Sequence, residues 1–163
     1  MGYVTSYAYD ELGQQISQTD ANLHATTFEY DLMGRRVKRT LPGNQVETYA
    51  YNIGGQLTNR TDFDGYTTTY QYDRMNRLVA KIPDSRRGEA PVTFAYNVLG
   101  LRTNMTDASG STAYVYDDRN HLVQKTKSFG GASYTSTLNS YDSLGNLTNI
   151  ISSDPNGVNV GYG

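Results

Sequence analysis

The chain has no cysteine and no tryptophan, and only four prolines and two histidines among its 163 residues. Each scarcity excludes something. Without cysteine there is no disulfide framework and no thiolate metal centre, and the same absence suits a secreted bacterial chain and a cytosolic one equally. Charge of one sign is also missing: 14 basic and 16 acidic residues are mixed along the chain for a net of −2. That leaves no broad basic face for nucleic acid or anionic lipid. Apolar runs are only a few residues long, which excludes a membrane-spanning helix, and Met1-Gly2-Tyr3 opens without the charged and apolar regions of a signal peptide. No long segment carries a helical period.

What the chain has is tyrosine, fifteen of them, and a repeat. The pattern is Tyr, then Asp or Asn, two free positions, then Gly or Asn. It occurs as Tyr9-Asp10…Gly13, Tyr30-Asp31…Gly34, Tyr51-Asn52…Gly55, Tyr72-Asp73…Asn76, Tyr96-Asn97…Gly100, Tyr116-Asp117…Asn120 and Tyr141-Asp142…Gly145, at steps of 21, 21, 21, 24, 20 and 25 residues. Gly and Asn tolerate positive φ at least cost, and an Asx side chain accepts backbone N–H bonds from residues just ahead of it. The motif therefore predicts a hairpin turn of type I followed by a bulge-forming left-handed residue.

Aromatic residues two apart lead into each turn, as in Phe28/Tyr30, Tyr49/Tyr51, Tyr70/Tyr72, Phe94/Tyr96 and Tyr114/Tyr116, and period two marks one face of a strand. The seventh copy has Asn139 at the first of these places. After the Gly or Asn come returning strands through Ile16, Val37, Leu57, Leu78, Leu101, Leu122 and Leu147, then opposite turns rich in turn formers. The longer steps place their extra residues in those opposite turns, around 84–88 and 128–136, so one rim is fixed and the other varies. The reading is an all-β, repetitive antiparallel β-hairpin meander of about fourteen strands. At ~4.8 Å between strands, natural twist makes it a coiling ribbon or partial hollow shell. Residues 1–163 form a single array of about seven repeats with a thin, partly polar core.

These copies, with Tyr-x-Tyr before each Asp and a hydrophobic strand after each Gly, resemble the YD repeat of RHS proteins. That family includes shell components of insecticidal toxin complexes, bacterial polymorphic toxins and teneurins. The resemblance covers essentially the whole chain and implies a spiralling β-casing that in toxin members encloses a C-terminal effector, in a secreted or cell-surface parent. The family's Asp-based self-cleavage region has no more than a short echo here, Asp154-Pro155-Asn156-Gly157, placed where other copies have an ordinary turn.

Chemistry is sparse in the sequence. His24 and His121 have no recurring place in the unit, and Asp62-x-Asp64-Gly65 starts like a calcium loop but lacks the remaining ligands. No catalytic, cofactor-binding or metal site is expected, and no enzyme activity. Arg39, Arg60, Lys81 and Lys125 share one phase, nine residues after their Tyr, and read chiefly as a solvated strand face. Asn59-Arg60-Thr61, Asn104-Met105-Thr106 and Asn146-Leu147-Thr148 match the glycosylation pattern because the strands favour Asn and Thr.

Two functions follow. The first is a non-catalytic wall segment whose partners are the rest of its parent chain and an enclosed effector. The second is a carbohydrate- or cell-wall-binding module with tyrosines stacking on a glycan, against which the missing tryptophan weighs. Tyr7-Ala8-Tyr9-Asp10 and Val160-Gly161-Tyr162-Gly163 cut the repeat at both ends, so the chain reads as a fragment. Open strand edges near residues 3–9 and 158–162 predict head-to-tail self-association.

Overall fold

The computed structural model describes residues 4–130, 132–153 and 159–162, and for residues 132–136 the backbone alone. Among these the chain is all-β, with a single short 3-10 turn at Ser85–Arg87. Fifteen strands are described, one more than the repeat count suggests, because Val160–Gly161 adds a short final one.

The residues divide into two compact units, Met1–Gln71 with Pro83–Gly88, and Tyr72–Ile82 with Glu89–Gly163. In the first, β1 (Ser6–Tyr9), β2 (Gln15–Thr19), β3 (Ala25–Tyr30), β4 (Arg36–Thr40), β5 (Val46–Tyr51), β6 (Leu57–Thr61) and β7 (Thr67–Tyr72) pair antiparallel in chain order. The second continues with β8 (Leu78–Ile82), β9 (Val92–Tyr96), β10 (Arg102–Asp107), β11 (Gly110–Tyr116), β12 (Leu122–Phe129), β13 (Ala132–Tyr141), β14 (Leu147–Ser152) and β15 (Val160–Gly161), again each against the next. Sequential pairing follows from turns too short to allow any other neighbour.

The period-two aromatics do share a face. Phe28 stands opposite Arg39, Arg39 opposite Glu47, and Tyr49 opposite Arg60, so rings and charged side chains alternate across β3 to β6. Burial is shallow. Among the described residues the buried side chains are Ala80, Glu47 and Thr112, two of the three polar. Tyr30, Tyr51, Tyr72, Tyr96, Tyr116 and Tyr141 are half-buried, and Tyr7, Tyr9 and Tyr162 are exposed. The rings are partly covered by neighbouring side chains, such as the guanidiniums over Tyr51 and Tyr96, in keeping with a thin, partly polar core.

The step lengths have local explanations. The 20-residue step comes from a two-residue loop, Ala108-Ser109, between Asp107 and Gly110, the latter at φ 117°. The 24-residue step holds the Ser85–Arg87 turn, which Asp84 caps through Arg86 N–H and Gly88 ends at φ 65°. In the 25-residue step the hairpin itself is longer, with β12 and β13 of 8 and 10 residues.

Candidate functional site

Each Asx turn is built the same way. In the second copy Gly34 N–H donates to the Asp31 carbonyl (2.9 Å), and Asp31 N–H to the Arg35 carbonyl (2.9 Å). The Asp31 side-chain Oδ1 accepts from Met33 and Arg35 N–H at 2.9 and 3.0 Å. Asp10, Asp73, Asn97, Asp117 and Asp142 repeat this double acceptance. Gly34 sits at φ 76°, and Asn76 and Asn120 hold the same place at 63° and 66°. A type I turn closed by a left-handed residue results. The opposite rim uses the same device at Asp20 and Asp62, with Leu23 carrying φ 66° in the first.

Three residues beyond the turn the ladder slips. Tyr30 opposes Arg36 while Glu29 opposes Lys38, leaving Val37 as an extra residue, and Ile16, Thr58, Thr103, Val123 and Thr148 are extra in the corresponding hairpins. A bulge frees a ladder carbonyl that must find another donor. The tyrosine of the following repeat supplies it. Tyr30 hydroxyl donates to Gln15 carbonyl, Tyr51 to Arg36, Tyr96 to Leu78, Tyr116 to Arg102 and Tyr141 to Leu122, all at 2.8–2.9 Å. Asn139, where an aromatic residue is missing, donates to that same Leu122 carbonyl. The tyrosine thus fastens its repeat to the bulge of the previous one.

A second fastening comes from the residue four places after the Asx. Arg35 and Arg77 grip the outer oxygen of Asp31 and Asp73 through Nε at 2.7 Å. Their Nη1 atoms reach the carbonyls of Asn52 and Asn97, the next turns along, and their guanidiniums lie 4.8 Å over Tyr51 and Tyr96. The Arg35 side chain and N–H hold the Asp31 carboxyl below its ordinary range, and the Arg77 N–H and side chain do the same for Asp73. His121 takes this place in the sixth copy, with Nδ1 3.0 Å from Asp117 and its ring stacked on Tyr141 at 4.7 Å. His24 takes it in the opposite rim, 3.2 Å from Asp20. Both histidines therefore do have a recurring place, contrary to the sequence reading, because equivalent turns stand on both rims.

The shared-phase cations resolve unevenly. Arg39 and Arg60 flank Glu47, which is 1% exposed. Arg60 Nε donates to Glu47 Oε1 at 2.6 Å, the Tyr49 hydroxyl to Oε2 at 2.5 Å, and Arg39 Nη1 stays 3.9 Å away. Burial pushes the Glu47 carboxyl up, but the Tyr49 and Arg60 hydrogen bonds outweigh it and leave the group below its ordinary value. Sequence reasoning missed Glu47. The signal was present: Thr26 and Thr68 hold the equivalent places one period away. Lys125 stands opposite Tyr114, and Lys81 opposite Val92.

Asp62 is spent on its turn and on Arg87, which with Arg86 also covers the Tyr66 ring at 4.4 and 4.8 Å. Among the described residues no group of three His, Asp or Glu is placed to hold a metal ion. Asn59 and Asn104 lie within strands, and Asn146 bonds back to Asp142. Asp154-Pro155-Asn156-Gly157 lies outside the described residues.

The model of the family described as RHS Repeat matches residues 9–46, 54–87 and 96–133, more than half of the chain. The chain belongs to the RHS repeat family. Solved structures share the fold of this RHS-repeat chain. One is the Tc holotoxin pore of Photorhabdus luminescens, at TM-score 0.77 and 20% identity over 94% of this chain and 9% of that one. Another is a TcdB2–TccC3 structure without its hypervariable C-terminal region, at TM-score 0.78 and 20% identity over 97% and 9%. The RHS-repeat chain thus spans about a tenth of the length of these structural neighbours. No curated protein matches it in sequence.

Proposed function

We propose that the chain is a structural stretch of wall in a larger RHS-repeat protein, one that encloses or displays a toxin effector outside the producing cell. The observation that carries this reading is the recurrent fastening of a repeat tyrosine hydroxyl, at Tyr30, Tyr51, Tyr96, Tyr116 and Tyr141, to a strand carbonyl of the preceding repeat. These hydroxyls, with the Arg35 and Arg77 guanidiniums, are committed to holding neighbouring repeats together, as a wall requires. The seven motif copies, Tyr9-Asp10-Gly13 through Tyr141-Asp142-Gly145, are in this reading the functional residues, and their function is mechanical. The fold likeness to Tc toxin chains supports the same reading.

A sugar-binding module would need free ring faces. Here Arg35 covers Tyr51, Arg77 covers Tyr96, Arg102 covers Tyr114 and His121 covers Tyr141. The test is protease protection in the parent protein. A wall predicts that an effector resists added protease and becomes cleavable when residues 31–51, one whole repeat, are deleted. An effector equally resistant or equally sensitive in both forms would refute it.

A further inference from the structure

A recess of about 380 Å³ opens in the first unit between β2, β3 and β4, lined by Gln18, Asp20, His24, Thr26, Phe28, Arg36, Arg39 and Pro42. Two guanidiniums meet there, and neither is used up. Arg36 lies 4.5 Å over the Phe28 ring and makes no ion pair among the described residues. Arg39 is held by the Phe63 ring at 5.3 Å and by a distant Glu47 oxygen that Arg60 and Tyr49 already satisfy, and its Nε is buried without a hydrogen-bond partner. The one carboxylate of the recess, Asp20, is committed to its own turn, accepting from Asn22 and His24 N–H and from the His24 ring. Positive charge therefore exceeds negative where a fork of donors is unfilled.

We infer that this recess is a docking site for carboxylate side chains of an acidic polypeptide segment. A guanidinium stacked on a ring keeps its edge N–H groups available and loses little entropy on pairing with a carboxylate. Gln18 and Thr26, opposite each other across β2 and β3, add neutral hydrogen-bonding groups to the lining. Polypeptide is favoured over an acidic sugar because the ring of the recess, Phe28, already has a guanidinium on its face, which leaves a sugar less to stack on. The assignment is independent of whether the chain is a wall segment.

The test is a titration of the isotope-labelled chain, following the arginine Nε–Hε signals by NMR, with a penta-glutamate peptide, with glucuronate, and with sodium chloride at matched ionic strength. The peptide is expected to shift Arg36 and Arg39 saturably in the millimolar range, with roughly tenfold weaker binding in Arg36→Gln and in Arg39→Gln. Lys38→Gln, whose ammonium pairs with Glu29 and lines no part of the recess, should bind as the parent chain does. Titration of the unmodified chain stands even where a variant folds poorly. Absence of a saturable peptide shift, equal shifts with sodium chloride, or saturation by glucuronate and not by peptide would each overturn the proposal.

Discussion

The Tyr51 hydroxyl donates to the Arg36 carbonyl at 2.8 Å, across fifteen residues of chain, at the point where Val37 is squeezed out of the ladder. Removing that hydroxyl leaves a bulge carbonyl to find water. Tyr51→Phe is expected to cost ~0.5–1.5 kcal/mol, the usual net worth of one hydrogen bond. Tyr51→Ala also strips the ring from beneath Arg35, and a loss of ~1–3 kcal/mol is expected for a half-buried aromatic. Urea unfolding midpoints of the two variants give both values.

Gly34 tests the turn itself. A Cβ placed there meets nothing closer than the Gln14 side-chain oxygen at 3.6 Å, so space is available and the penalty is conformational. Gly34→Val is expected to cost ~1–3 kcal/mol, whereas Gly34→Asn should be mild, since Asn76 and Asn120 already hold this conformation. Equal midpoints for the two variants would contradict the left-handed assignment.

Acid should weaken the fold in a defined direction. The carboxyls of Asp31 and Asp73 lie below their ordinary value of 3.8, so their contribution is fully present above that pH. It is lost as pH falls through the lowered values, where the folded state must finally take up the proton. Asp31→Asn keeps the Oδ1 acceptor, as the natural Asn52 and Asn97 do, but gives up the charge beside Arg35. Melting temperatures between neutral pH and about pH 2 should show a shallower acid decline in Asp31→Asn than in the parent chain.

At Glu47 the two sides of an ion pair are unequal. Arg60 is 47% exposed and Glu47 is 1% exposed, so Arg60→Ala strands a buried carboxylate. A loss of ~1–3 kcal/mol is expected, with the Glu47 carboxyl moving up toward protonation. Arg60→Ala together with Glu47→Gln should recover part of the loss. Chemical denaturation of the single and double variants measures the coupling.

The turn centres should be insensitive. Leu32 and Ile53 stand fully exposed, at 107% and 100% of reference, between the Asx and the Gly of their turns. Leu32→Ser and Ile53→Ser are expected to stay within about 0.5 kcal/mol of the parent chain in the same denaturation assay.

The hairpin order, the Asx turns and the family were legible because each rests on local residues at fixed spacing. Asp31 and Gly34 announce their turn within five residues. What lay beyond the sequence reading depends on partners one repeat away. A tyrosine hydroxyl gives no sign of which carbonyl it will seek, and the bulge at Val37 carries no residue preference that marks it, since Ile16, Thr58 and Thr148 serve equally. The polar residue four places after the Asx was visible in six copies, as Gln14, Arg35, Gln56, Arg77, His121 and Asn146, yet its purpose emerges only when Arg35 is seen to reach Asn52. Period two locates a face and says nothing about how deeply it is buried, and Tyr30, Tyr51, Tyr96, Tyr116 and Tyr141 on that face are only half-buried.

The hydroxyl-to-bulge bonds join residues only 14 to 19 positions apart. For a β protein this is unusually local, and the rate of chain collapse into a native sheet falls as pairing becomes more distant. Each hairpin can close on its own turn and then be locked by the tyrosine that emerges one repeat later, so order can grow directionally, at the pace at which a ribosome or an export channel delivers the chain.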